Sequence, residues 1–149
     1  MKHLKNKKVL VINGPNLNLL GVREPEIYGE FTYEELCTEV EGFAQKLRID
    51  CEFFQANGEG EIVDKLQETL KQEVDLIIIN PGGYTHYSYA IADAIRAISV
   101  PAIEVHISNI YARENFRACS VIAPSCVGQI SGLGAKSYMM ALMFGSEIW

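Results

Sequence analysis

Glu104 and His106 are the residues of this chain best spaced for proton transfer. In Ile103-Glu104-Val105-His106 the side chains of a strand alternate across its sheet, so the carboxylate and the imidazole share a face. A carboxylate in that place orients the ring and favours its protonated form. A core histidine bonded to a neighbour is the competing reading, and a position at the end of a strand favours the site. Just beyond, the backbone N–H groups of Ile107 and Ser108 are placed to hold an anion. Three arginines, Arg23, Arg113 and Arg117, stand on loops that follow strands, and together they suit an anionic substrate such as a carboxylate. They also bear on Tyr28. A phenol titrates near pH ~10, and a neighbouring cation favours its phenolate, so Tyr28 becomes a candidate general base if Arg23 or Arg113 closes over it. Asn80 could hold His106 or a substrate hydroxyl. His86 and Asp93 lie seven apart and share a helical face only if a helix begins near Ser88.

Other arrangements fail. Gly132-Leu133-Gly134-Ala135-Lys136-Ser137 lacks the register of a phosphate-binding G-x-x-x-x-G-K-[ST] loop, and no G-x-G-x-x-G follows the first strand. Cys119 has no histidine adjacent in sequence to make it a nucleophile. The four cysteines form no C-x-x-C pair and the three histidines no H-x-x-x-H, so neither a zinc site, a metal enzyme nor a disulfide framework is expected. Reduced thiols fit a cytoplasmic protein.

The elements that must carry these residues follow from periodicity. Val9 to Ile12 is an apolar, β-branched run that stops at Asn13-Gly14-Pro15-Asn16, and the stretch from there to Gly29 reads as a loop without helix. Thr32 and Glu35 fit a capping box for a helix carrying Leu36, Val40, Phe43, Ala44 and Leu47. Strands are expected at Cys51–Gln55, Val74–Ile79, Pro101–Ile107 and Val121–Ala123. Helices are expected on Ile62 to Leu70, on Ile91 to Ile98 and from Lys136 to Phe144.

Fully apolar strands alternating with helices mean a parallel sheet covered on both faces. The fold class is α/β: a flavodoxin-like, doubly wound, five-stranded parallel sheet of order 2-1-3-4-5 in a three-layer sandwich. All 149 residues are expected to form a single catalytic domain. The net charge of −6 argues against a nucleic-acid partner, no run is long enough for a membrane span, and the amino-terminal segment leads into a strand without a secretory pattern.

The segments INGPNLNLLGVREPEIYG, INPGGYTHYSYAIADAI and IEVHISNIYARENFR strongly resemble those of the type II 3-dehydroquinate dehydratases, and the likeness runs from Val9 to Leu142. The resemblance implies reversible dehydration of 3-dehydroquinate to 3-dehydroshikimate by anti elimination through an enolate, without cofactor or metal. It implies that Tyr28 is the base at C2, that Arg23 keeps it ionised with help from Arg113, and that His106, oriented by Glu104, protonates the departing hydroxyl. It further implies that Asn16 holds a water against the enolate oxygen. Asn80, His86, Asp93, Arg117 and the Ile107 and Ser108 amides would bind substrate, with Asp93 acting across a subunit boundary. A homododecamer built as a tetramer of trimers, serving aromatic amino-acid biosynthesis on the shikimate route or quinate breakdown, is implied as well. Gly82-Gly83 and Tyr87 depart from the usual pattern and bear on affinity. A catalytically silent flavodoxin-like scaffold is the alternative.

Overall fold

The computed structural model describes residues 4–149. Strand β1 (Lys7–Asn13) leads to a 3-10 turn at Leu17–Leu19 and a one-turn helix α1 (Pro25–Tyr28). Then come α2 (Tyr33–Lys46), β2 (Ile49–Gln55), α3 (Glu59–Glu68), β3 (Leu76–Asn80) and a 3-10 segment at Gly82–His86. After α4 (Tyr89–Ala97) and β4 (Ala102–His106) come three short 3-10 turns, strand β5 (Gly128–Ser131) and α5 (Lys136–Glu147).

The five strands are all parallel, in the order β2-β1-β3-β4-β5, the flavodoxin-like arrangement expected from the alternating pattern. The strict two-residue period of the strands splits the core in two. Val9, Val11, Ile78 and Val105 face α2 and α5, whereas Leu10, Ile12, Ile77 and Ile79 face α3 and α4. Each of these side chains is fully or almost fully buried and contributes about 1.5–3 kcal/mol by leaving water. The capping box forms: Thr32 Oγ1 accepts from the Glu35 amide at 3.1 Å, and Glu35 Oε2 accepts from the Thr32 amide at 2.9 Å. Ser88 caps α4 by accepting from the Ile91 amide at 3.1 Å.

Two expectations need correction. The stretch between β1 and Gly29 is not without helix. Pro25, whose fixed φ suits a first helical position, starts α1, and the buried Leu17 and Leu20 pin the turn before it to the core. The fifth strand is not Val121–Ala123. Ile122 is buried, but it sits in a turn in which the Ile122 and Ala123 amides donate to Ser120 Oγ at 3.2 and 2.9 Å, and Pro124 follows. The ladder is taken up by Gly128–Ser131, where Ile130 is the one large apolar residue of an edge strand that alternates polar and apolar.

At the carboxyl edge, Asn13 and Asn80 end β1 and β3 in register. The loops that follow approach closely: a Cβ on Gly14 would lie 2.5 Å from the Pro81 carbonyl oxygen, and Gly82, at φ +60°, faces Pro15. The buried Tyr138 of α5 ties the two strand ends together. Its hydroxyl donates to Asn13 Oδ1 at 2.6 Å and accepts from Asn80 Nδ2 at 2.9 Å. Among the described residues, no helix is long and apolar enough to cross a membrane.

Candidate active site

A cleft of about 310 Å3 opens where the strand order reverses, beyond the carboxyl ends of β1, β3 and β4. Ligands of open α/β sheets settle there because the loops of neighbouring strands diverge. Wider clefts at the amino ends of β1, β2 and β3, one lined by Lys8, Asp50, Glu52 and Glu73, are also polar but hold no histidine, tyrosine or arginine.

Ten of the twelve residues read from the sequence line this cleft. Asn16, Arg23 and Tyr28 come from the segment after β1, and Asn80 and His86 from the end of β3 and the turn beyond it. His106, Ile107, Ser108, Arg113 and Arg117 come from the end of β4 and its loop. Glu104 is wholly buried beneath it. Asp93 is not brought to the cleft: it lies on α4 with its side chain 69% exposed, paired with Arg96.

Tyr28 and the arginines form one wall. Arg113 donates to the Tyr28 hydroxyl oxygen at 2.8 Å and to Ser108 Oγ at 3.3 Å. The guanidinium carbons of Arg23 and Arg113 each lie 5.2 Å from the Tyr28 ring centroid. A negative charge on that phenol oxygen would thus meet two guanidinium groups, one through a direct hydrogen bond. Arg117 is held by Glu114, to whose Oε2 its Nε donates at 2.6 Å. A hydrogen bond with its own backbone, and next the bond from Arg117, hold the Glu114 carboxyl below the usual carboxylate range.

His106 and Glu104 form the floor. Nε2 of His106 lies 2.7 Å from Glu104 Oε2 and 3.3 Å from Thr85 Oγ1. An ionised carboxylate only accepts, so Nε2 carries the proton. Among the described residues no buried side-chain nitrogen or oxygen lacks a partner, and Nδ1 has none, so Nδ1 is the atom that reaches the cleft.

His86 stands at the rim, its Nδ1 donating to the Cys119 carbonyl at 2.9 Å. Burial pushes its pKa below the usual histidine value, which keeps the ring neutral and leaves Nε2 able to accept from a hydroxyl. Asn80 donates one N–H to Tyr138 and accepts from the Gly82 amide at 3.2 Å through Oδ1, with no bond to His106. Its side chain therefore fixes the cleft wall rather than reaching for His106. Asn16 is held at φ 69° with its amide donating to Asn57 Oδ1 at 3.1 Å.

Sequence reasoning missed Thr85, Ser120 and Gln129, which surround the His106–Glu104 pair, and Asn57, which anchors Asn16. Gln129 was findable in principle, because parallel pairing sets it directly opposite Glu104. The misplaced fifth strand hid that register.

Comparison with known proteins identifies the family. The family model described as dehydroquinase class II matches residues 7–145. The chain is 63% identical over 142 residues to the 3-dehydroquinate dehydratase of Caldicellulosiruptor bescii, covering 95% of this chain and 98% of that one. It is 53% identical over 141 residues to that of Thermotoga neapolitana, covering 95% of each. Among solved structures, the type II dehydroquinase of Butyrivibrio crossotus superposes with a TM-score of 0.92 at 51% identity, over 94% of this chain and 97% of the other. That of Propionibacterium acnes gives 0.92 at 40% identity, over 97% and 99%. A family model that spans residues 7–145, 63% identity across 95% of the chain and a shared fold at a TM-score of 0.92 place this chain in the class II dehydroquinase family, as an enzyme of the hydro-lyase type.

Proposed function

We propose that this chain catalyses the reversible dehydration of 3-dehydroquinate to 3-dehydroshikimate through an enolate. Tyr28 is the general base and His106 the general acid. The observation that carries this reading is the pairing, across one cleft, of a phenol held by Arg113 and Arg23 with a histidine whose free Nδ1 is backed by a buried carboxylate.

The hydrogen at C2 of the substrate lies next to a ketone and is acidic only while the enolate is stabilised. Tyr28, as phenolate, takes that proton, with the guanidinium of Arg113 on its oxygen and that of Arg23 over its ring. Charge then moves to the C3 oxygen, where a water held by Asn16 stabilises it. The C1 hydroxyl departs only if protonated. Protonated His106 supplies that proton from Nδ1 and keeps Nε2–H on Glu104, so the imidazolium that must form first lies against a buried negative charge. Arg117, His86 and the Ile107 and Ser108 backbone bind the carboxylate and hydroxyl groups, and Asn80 shapes the wall that receives them.

Asp93, directed away from its own cleft, would reach the substrate of a neighbouring copy. With the family resemblance, that supports a homododecamer, a tetramer of trimers, formed by a single-domain chain working in the cytoplasm. Sedimentation velocity measures the assembly, and a stable monomer with full activity would remove Asp93 from the site.

Ultraviolet absorbance tests the reaction, because the conjugated enone of the product absorbs and the substrate does not. A rise on adding 3-dehydroquinate, undiminished by borohydride and abolished in Tyr28→Phe with the fold kept, is the expected result. A rise lost to borohydride would mean a lysine imine, and retained activity in Tyr28→Phe would remove the base.

A further inference from the structure

Glu104 is an unusual residue to find inside a sheet: a carboxylate with no exposed surface, in the middle layer of the fold, among Ala102, Ile79 and Ile122. A charge in that place persists only if its lone pairs are met by donors. Three donors meet them. Ser120 donates to Oε1 at 2.7 Å, while His106 Nε2, at 2.7 Å, and the Gln129 carboxamide both donate to Oε2.

Each of the two supporting donors has its direction fixed by a further contact. Ser120 Oγ already accepts from the Ile122 and Ala123 amides, so its own hydrogen is left for Glu104. Gln129 Oε1 accepts from the Tyr111 hydroxyl at 2.7 Å, which turns the amide nitrogen toward the carboxylate. The register of β4 and β5 sets Glu104 beside Gln129 and His106 beside Ser131, so the support is built into the ladder itself.

We infer that Gln129, opposed by Ser120, is a positioning residue of the catalytic acid: it holds the Glu104 carboxylate aimed at His106 Nε2 and thereby keeps Nδ1 as the proton-donating atom in the cleft. Without the Gln129 donor, Oε2 has a free lone pair in an apolar layer and Glu104 turns to satisfy it. Nε2 then loses its partner, and the imidazole is free to carry its proton on Nδ1 in the neutral state or to rotate. Gln129 does not line the cleft, so substrate affinity stays with the residues that do.

This inference rests on His106 being the acid, and two readouts separate the two ideas. The first is the 15N spectrum of histidine-labelled protein at a pH where His106 is neutral, with the chain's three imidazoles told apart by His3→Gln and His86→Gln. The second is steady-state kinetics. In Gln129→Met, similar in length and lacking the N–H, His106 is expected to lose its pure Nε2–H signature. Its kcat should drop at least about tenfold, within the roughly 10²–10⁴-fold that a general acid contributes in all, with KM held. Ser120→Ala should act in the same direction from the other oxygen, Ser120→Thr should restore kcat, and either answers the question if Gln129→Met does not fold. An unchanged Nε2–H tautomer in the folded variants overturns the inference whatever kcat does. A changed tautomer with unchanged kcat keeps Gln129 as the residue that aims Glu104 at Nε2, but refutes His106 as the acid and with it the catalytic part of the inference.

Discussion

Glu104→Gln removes one charge from beneath the cleft and leaves the side-chain volume nearly unchanged. In the parent protein, Oε2 accepts from His106 and Gln129 while Oε1 accepts from Ser120. The new carboxamide can keep its oxygen toward His106 and Gln129, and its NH2 then faces Ser120, whose hydroxyl hydrogen is left without an acceptor. The histidine thus keeps a neutral hydrogen bond and loses a charge-assisted one. Such bonds contribute about 1.5–3 kcal/mol. The side chains are 6% and 0% exposed, so solvent screens little of that. When that stabilisation belongs to the imidazolium that donates the proton, the loss appears in the rate: it is the difference from the neutral bond that remains, about 1–1.5 kcal/mol, and at ~1.4 kcal/mol per tenfold it predicts a kcat lower by about 5- to 12-fold. KM should hold, because Glu104 does not line the cleft. The assay is continuous absorbance of the enone product over a range of substrate concentrations. A kcat within about threefold of the parent, under ~0.7 kcal/mol, would refute the reasoning, and a rise in KM at constant kcat would place Glu104 in substrate binding instead.

Tyr138→Phe should destabilise the protein, because Asn13 and Asn80 each lose a buried partner; at about 1–3 kcal/mol per orphaned group and about 2–4 °C per kcal/mol, calorimetry should show a Tm lower by about 4–24 °C. His86 is pushed below its ordinary 6.5 by burial, so the unfolded chain takes up its proton first on acidification. The stability linked to His86 is therefore complete above pH 6.5 and is lost as pH falls below it, and His86→Gln should flatten denaturant midpoints across that window. For the same reason KM should rise on acidification as Nε2 gains a proton, and a KM independent of pH would exclude His86 as an acceptor for substrate. Burial raises the Cys51 and Cys126 thiols to about 12, helped at Cys126 by the Glu104 charge, while Cys119 is exposed. Iodoacetamide at mildly alkaline pH should accordingly modify Cys119 first by mass spectrometry, and faster labelling of Cys51 or Cys126 would mean that the sheet opens.

The layers of this protein were written in local pattern. Val9 to Ile12 and Leu76 to Ile79 are apolar at every position, so they had to be strands buried on both faces, and the capping box at Thr32 and Glu35 fixed where α2 begins. The polar residues clustered at three strand ends located the cleft, and Glu104 and His106 declared their shared face by a spacing of two. These signals are short-range: side-chain alternation and cap geometry depend on neighbours in the chain, and so they survive in the sequence alone.

Other features depended on which distant residues met. Val121-Ile122-Ala123 has the composition of a strand, but Ser120 and Pro124 turn it, and the weakly patterned Gly128–Ser131 occupies the sheet edge because β4 offers it a ladder. Asn80 lines the cleft, but one of its two amide hydrogens goes to Tyr138, 58 residues away. Arg23 was expected as the first cation on Tyr28, but it is Arg113, 85 residues away, that bonds to the phenol oxygen. Asp93 shared a sequence neighbourhood with His86 yet faces outward on α4. The sequence by itself determined four of the five strands, the longer helices and the chemical inventory of the cleft. Only the tertiary structure decided which donor meets which acceptor, because hydrogen bonds between residues far apart in the chain are set by register and packing and leave no periodic trace in it.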